Sequence, residues 1–266
     1  MRSPVAIGFY PGDKIILKNN VRKFLVSDKK INAFGIISPH AGYDFSGSVA
    51  GKVYASSITE KKNFILFSPN HTGYGNSIAI SNDEWLTPLG RIETNKELIK
   101  KFNLKIDETA HKYEHSIEVQ LPFLQVLYKN FKIVPICLQH IDIDEIEKIA
   151  ENVSDSSSFY IASSDFTHFG YNYGYEPISG TIQNKLRWVK NTDMKMIDLI
   201  CKLKAEEFYN EVIENGYTIC GFVPITLIIF VMKNLGARKG LLIDYKTSYE
   251  VYPSSSFVSY AGIVFY

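Results

Sequence analysis

Histidine is the side chain best placed to carry protons or hold a metal at neutral pH, and the chain has six of them. Four follow short apolar runs. The first run ends in Ser38-Pro-His40, the second in Ser68-Pro-Asn-His71, the third in Leu138-Gln-His140 and the fourth in Ser163-Ser-Asp165-Phe-Thr-His168. In open α/β sheets, ligands bind outside the carboxyl ends of the strands. One histidine at such a place, His140 for example, also reads as a surface loop residue. The group points to a shared site. In the first two runs a proline fixes φ and removes a donor, so the strand stops and the next polar side chain stays near the sheet edge. Imidazoles on rigid strand ends suit a metal. His40 and His71 are therefore expected to be two ligands of one metal-type site.

Other residues are less clear-cut. Asp165 is a helix or turn cap, or a carboxylate that orients His168 or a bound water. His111-Lys-Tyr-Glu114-His115 has the spacing of an inverted zinc-protease motif, with both histidines on one helix face. Glu114-His-Ser-Ile-Glu118 also reads as the acidic first turn of a helix. Either way, Glu114 and His115 are acid–base candidates for the main site. Cys220 lies just before an apolar helix. It reads as a small buried residue or as a thiolate favoured by the helix N-terminus and able to bind metal.

The elements that must position these residues follow from the apolar pattern. Runs at Ala33–Ser38, Asn63–Ser68, Phe131–Leu138 and Phe159–Ser163 read as strands buried on both faces. Helices are expected over Ser46–Ile58, Glu114–Tyr128, Asp142–Val153, Ile182–Lys202 (broken near Asn191) and Ala205–Glu214, with an apolar helix after Ile219. Gly240–Thr247 and Ser256–Phe265 close the chain as strands, antiparallel if they join the same sheet. Alternating strands and helices predict an α/β fold, a three-layer αβα sandwich around a largely parallel or mixed sheet. With 266 residues and no repeat or linker, one domain spanning 1–266 is expected.

Composition narrows the function. Lys+Arg number 29 against Asp+Glu 28, without a basic tail, so nucleic acid is an improbable partner. The cysteines are Cys137, Cys201 and Cys220, an odd number with no C-x-x-C pair, which fits a reduced, cytoplasmic setting. The run from Ile219 to Met232 is roughly 14 residues, short of the 20 or so needed to span a bilayer, and no membrane partner is expected. The first residues do not read as a signal peptide.

Taken in order, Ile37-Ser-Pro-His-Ala-Gly-Tyr43, Ser68-Pro-Asn-His71, Thr87-Pro-Leu89, Glu114-His-Ser-Ile-Glu118, Leu121-Pro122, Ser163-Ser-Asp-Phe-Thr-His168, Thr218-Ile-Cys-Gly221 and Ser256-Phe-Val-Ser-Tyr-Ala-Gly262 resemble the Memo family, protein B of the AmmeMemoRadiSam gene grouping. That family is similar in fold to LigB-type class III extradiol dioxygenases, which hold non-haem iron. The resemblance implies His40, His71 and Cys220 as the metal ligands, with Cys220 replacing the carboxylate of the dioxygenases. It implies His168, with Asp165, as the acid–base group, and His115 with Glu114 in the same cavity. The chain departs from the family at His71-Thr72, where a second histidine is common. It departs again at Ala6-Ile-Gly-Phe-Tyr10 and after Cys220-Gly221, where Phe222-Val223 replaces a more polar pair.

A soft His/His/Cys set favours copper or iron over magnesium or calcium, with zinc as an occupant of the purified protein. The expected function is a Cu- or Fe-dependent redox enzyme handling dioxygen or a reduced oxygen species. The alternatives are a pocket that binds a phosphorylated or carboxylated small molecule or peptide, and an accessory partner of radical SAM and AMMECR-type proteins.

Overall fold

The computed structural model describes residues 1–266. Its centre is four parallel strands: β1 (Gly35–Ser38), β2 (Asn63–Pro69), β3 (Lys132–Leu138) and β4 (Ser158–Ser163). Their spatial order is β1-β4-β2-β3, so the last strand in sequence lies between the first two. Two antiparallel strands extend the β1 edge: β6 (Phe257–Phe265) pairs with β1, and β5 (Gly240–Thr247) pairs with β6. The opposite edge is extended by Gly90–Thr94, parallel to β3 and in a hairpin with Trp85–Thr87. The sheet is therefore mixed.

Successive residues of the central strands serve opposite layers, as the two-residue period of a strand requires. Ile36, Phe64, Leu66, Phe159 and Ile161 pack with α1 (Lys14–Phe24), α2 (Tyr43–Ser56) and α3 (Leu121–Leu127). Ile37, Ile65, Phe67, Tyr160 and Ala162 pack with α4 (Ile143–Val153), α5 (Ile182–Cys201), α6 (Ala205–Asn215) and α7 (Phe222–Asn234). Both strand faces are dry, which is why these segments read as unbroken apolar runs. The α/β architecture and mixed central sheet agree with the expected sandwich. α7 is apolar around its whole circumference and buried from Val223 to Met232, as a core helix must be. Pro224 sits in its first turn, where a backbone N–H has no helical partner to lose. No helix is long and apolar enough to cross a membrane.

Two expectations are corrected. α5 is continuous over 20 residues; Asn191 faces solvent there, and one exposed weak helix former costs only a few tenths of a kcal/mol, roughly. Residues 112–117 form a turn, and the helix expected from Glu114 begins only with a 3₁₀ turn at Glu118. The helix α1 was not anticipated: only Leu17 and Val21 are buried along it, too sparse a stripe to stand out.

Candidate metal centre

The carboxyl ends of β1, β4 and β2 are adjacent, and the site is assembled there. His40 Nε2 lies 3.2 Å from Cys220 Sγ. The donor atoms of His40, His71 and Cys220 all fall within 4.8 Å of one another. Two N and S ligands of one tetrahedral ion are separated by roughly 3.5 Å, so the three donors are spaced for a common ion. Cys220 arrives from the far side of the chain because the start of α7 packs tightly on the end of β4. A Cβ on Gly221 would come within 2.5 Å of Ser164 Cβ and 2.8 Å of the Ser163 carbonyl, so only glycine allows this approach. Gly221 N also donates to Ser164 Oγ at 3.0 Å.

The orientation of each imidazole is fixed from behind. Ser163 Oγ donates to the Ser116 carbonyl (2.8 Å) and accepts from Gln120 Nε2 (2.8 Å). Its remaining lone pair lies 3.0 Å from His40 Nδ1. With its proton already given away, the hydroxyl can only accept there. His40 must therefore carry hydrogen on Nδ1 and present a bare Nε2 to the cysteine. Burial and the neighbouring imidazoles of His71, His115 and His168 push His40 well below the usual histidine range, so it is a neutral donor.

His71 is held by Glu114. The carboxylate accepts from His71 N at 2.6 Å and from His71 Nδ1 at 3.0 Å. Ser116 N and Oγ donate to the same Oε1, at 2.9 and 2.7 Å. This is the carboxylate–histidine pairing that commonly supports metal ligands. Burial works against a charge on Glu114, but hydrogen bonding to His71 and the charges of His71 and His115 hold it down at about 2. Burial also disfavours charge on His71. Hydrogen bonds and charge from Cys220 and Glu114 outweigh it and raise the imidazole to about 10. Burial pushes the Cys220 thiol up, with His71 opposing. Without an ion, the cluster keeps a proton that an ion binding there must displace.

The sequence places Glu114 in the cavity as an acid–base group. The structure turns it the other way: it is 1 % exposed and is absorbed in orienting His71 and Ser116. Of the two readings of Asp165, turn cap and orienter of His168, its hydrogen bonds are those of a turn cap. Its Oδ1 accepts from His40 N (2.9 Å) and Ala41 N (3.3 Å), and Oδ2 lies 4.0 Å from His40 Nε2. It fixes the turn after β1. His168 is oriented by main chain, its Nδ1 lying 3.0 Å from both the Phe166 and Thr218 carbonyls. Carbonyls only accept, so Nδ1 carries hydrogen, and Nε2 is left without a protein partner. His115 stacks on Phe9 at 4.1 Å and on His71 at 5.1 Å. Burial is the main reason it is lowered to about 4.

Two histidines stand apart. His111 ends a short helix, so His111 and His115 share no helix face; its Nε2 meets the Ala79 carbonyl at 3.1 Å and its ring meets Trp85. This removes the zinc-protease motif. His140 follows β3, one strand beyond the site, where Ile78–Ile80 pairs over the strand end. It contacts Tyr209 and Phe222 instead.

Above the donors is a pocket of about 590 Å³ lined by His40, His71, His115, Asp165 and His168, with Phe9, Phe45, Tyr173, Tyr252 and Tyr260 as aromatic walls. No lysine or arginine lines it. Gln120, Ser116 and the aromatic walls were not foreseen. Gln120 and Ser116 lie within or beside the Glu114–Glu118 segment and could have been suspected as its polar support; the aromatics carry no sequence signal that separates them from core residues.

Fold and site define a class: an α/β sandwich with a histidine-lined pocket over a histidine–cysteine cluster at the carboxyl edge of its sheet. The chain belongs to the Memo family. Residues 2–264 match the family described as Memo-like protein. It is similar to a MEMO1 family protein of Archaeoglobus fulgidus, 38% identical over 100% of this chain and 99% of the relative. Those of Methanosarcina barkeri and Pyrococcus abyssi are 37% and 35% identical, each over 99% of both chains.

Proposed function

We propose that His40, His71 and Cys220 hold one redox-active transition metal, copper or iron, and that the pocket above it is an oxidoreductase site acting with dioxygen or a reduced oxygen species. The observation that carries this reading is the pair of tautomer locks. Ser163 and Glu114 each occupy an Nδ1, so both imidazoles turn Nε2 toward one thiol, His40 with a lone pair and His71 with a proton that an ion would displace. Two imidazoles and a thiolate are soft donors suited to copper or iron. When bound, the metal supplies one-electron chemistry and an open coordination position.

The chain's own groups do the rest. Glu114 and Ser163 keep the ligand rings from turning. Asp165 pins the turn that carries His40. His168, with Nε2 free, takes a proton from a substrate or a bound water. His115, uncharged and stacked between Phe9 and His71, offers an acceptor or an apolar face. An anionic ligand is a weaker occupant: the lining offers no lysine or arginine, and a charged His71 in the metal-free pocket is already paired with Glu114.

The test is elemental analysis of protein purified without oxygen, followed by titration with Cu(I), Fe(II) and Zn(II). The wild type is expected to bind one equivalent of copper or iron, with zinc as a substitute. A His40→Ala/Cys220→Ala double variant is expected to bind none tightly. Equal affinity in the two proteins would falsify the triad. Oxygen uptake with catechols and thiols then tests the redox reading. Absence of turnover by the metal-loaded protein with every such reductant sinks it while leaving metal binding in place.

A further inference from the structure

The carboxylate that locks His71 sits in a turn, residues 112–117, outside any helix or strand. Ser163 and Pro69 meet the turn at Ser116, and the segment formed by residues 1–10 grips it on both sides of Glu114. Arg2 is buried, with its guanidinium 4.0 Å above the ring of Trp85. Its Nε donates to the His111 carbonyl at 2.7 Å, and its Nη2 to the carbonyl of Glu114 itself at 2.5 Å. Its Nη1 pairs with Glu118 at 2.5 Å. Glu118 is completely buried and also accepts from Ala6 N (2.9 Å), Val5 N (3.0 Å) and Tyr10 Oη (2.5 Å). The turn is thus gripped at residues 111, 114 and 118 by one strap, and the same strap delivers Phe9 onto His115.

We propose that residues 1–10 are a positioning device for the metal centre, with Arg2 and Glu118 as positioning residues that act through Glu114 on His71. This rests on the metal reading of the site. A buried ion pair is by itself weak evidence even of stability. What distinguishes this one is that two of the three guanidinium nitrogens go to carbonyls of the turn, one of them that of the His71 partner. Six hydrogen bonds made by Arg2 and Glu118 fix the backbone on both sides of Glu114. Lysine has a single ammonium and cannot span two carbonyls and a carboxylate with the same planar fork.

The experiment uses the full chain with Arg2→Lys, Glu118→Gln and Glu114→Gln variants, the Arg2→Lys/Glu114→Gln double variant, and Leu17→Ala. Leu17 is buried in the same layer but is neither a donor nor a lining residue of the pocket, so it controls for lost stability. Zn(II), which is redox-silent, is the probe, and its affinity is measured by competition with a chromophoric chelator. Apo stability is measured by urea unfolding, and the protonation of His71 Nδ1 by ¹⁵N NMR of the metal-free protein. Arg2→Lys and Glu118→Gln are expected to weaken Zn(II) binding at least 10-fold, as loss of an outer partner does. Leu17→Ala is expected to stay within 2-fold even where it unfolds at lower urea. The double variant is expected to bind no more weakly than Glu114→Gln alone, because both substitutions lie on one path.

Unchanged Zn(II) affinity in both strap variants, or full additivity in the double variant, overturns the proposal. If Arg2→Lys does not fold, Glu118→Gln carries the same comparison. The NMR reading separates the two ideas. If the wild type binds no Zn(II) through His40 and Cys220 but the His71 Nδ1–H signal is lost in the strap variants, the metal reading fails and the positioning role stands.

Discussion

A hydroxyl can donate once and accept twice, and Ser163 Oγ uses all three capacities on Ser116, Gln120 and His40. Alanine at this position frees His40 to adopt the other tautomer and leaves Gln120 Nε2 one acceptor short. Ser163→Ala is expected to weaken metal binding about 10- to 100-fold with little change in fold, as read by chelator competition and circular dichroism. Retention of full affinity would show that His40 needs no lock. Asp193 is a second buried residue with a definite pH signature. Burial raises it to about 6 against three hydroxyl donors, Ser259, Thr167 and Tyr245. Between its unfolded and folded values the native chain holds a proton that the unfolded chain has released. Stability is therefore highest below the unfolded value and falls as pH rises toward 6. An Asp193→Asn variant lacks this slope. Urea unfolding from pH 4 to 6.5 is expected to show the wild type losing roughly 2 kcal/mol relative to the variant. A pH-independent difference would rule this out.

At the scale of elements, the crossing of α1 over α2 depends on a bare backbone. A Cβ on Gly51 would lie 2.3 Å from Phe24 Cβ and 2.4 Å from its carbonyl oxygen. Gly51→Ala must push α1 away, and is expected to cost about 1–3 kcal/mol or more in urea unfolding while leaving Zn(II) affinity within 2-fold, since no metal donor touches this crossing. The parallel strands were legible because dry strands on both faces leave continuous apolar runs, and the prolines after Ser38 and Ser68 mark where they stop. α1 was illegible because its register with the core uses two residues. The pairing of strands was also hidden. Nothing in the local pattern says that β3 lies outside β2 while β4 inserts beside β1, and that ordering is what removes His140 from the site and admits His168. The hydrogen-bond partners of Glu114 and Asp165 were hidden for a related reason. Their residue types announce chemistry, but only the fold shows that their lone pairs are spent on His71, Ser116, His40 and Ala41.

For the whole molecule, metal binding and stability are linked. A ligand that binds only the native state stabilises it by about 2.7 kcal/mol at 100 times its Kd. Addition of Cu(I) or Zn(II) is expected to raise the unfolding midpoint of the wild type by that order and leave a His40→Ala/Cys220→Ala variant unmoved. A shift shared by both proteins would place the metal elsewhere. The donors also lie far apart along the chain, with His40 and Cys220 separated by 180 positions. Contacts of such separation form late, after the loops between them have closed. During synthesis the two imidazoles leave the ribosome well before the thiol exists, so a growing chain offers soft metals only a fragment of the site. The finished topology thereby acts as a gatekeeper in time. If the triad takes up metal only once folded, added metal is expected to slow unfolding in stopped-flow experiments and leave the refolding rate unchanged; faster refolding with metal present would show that the site forms early.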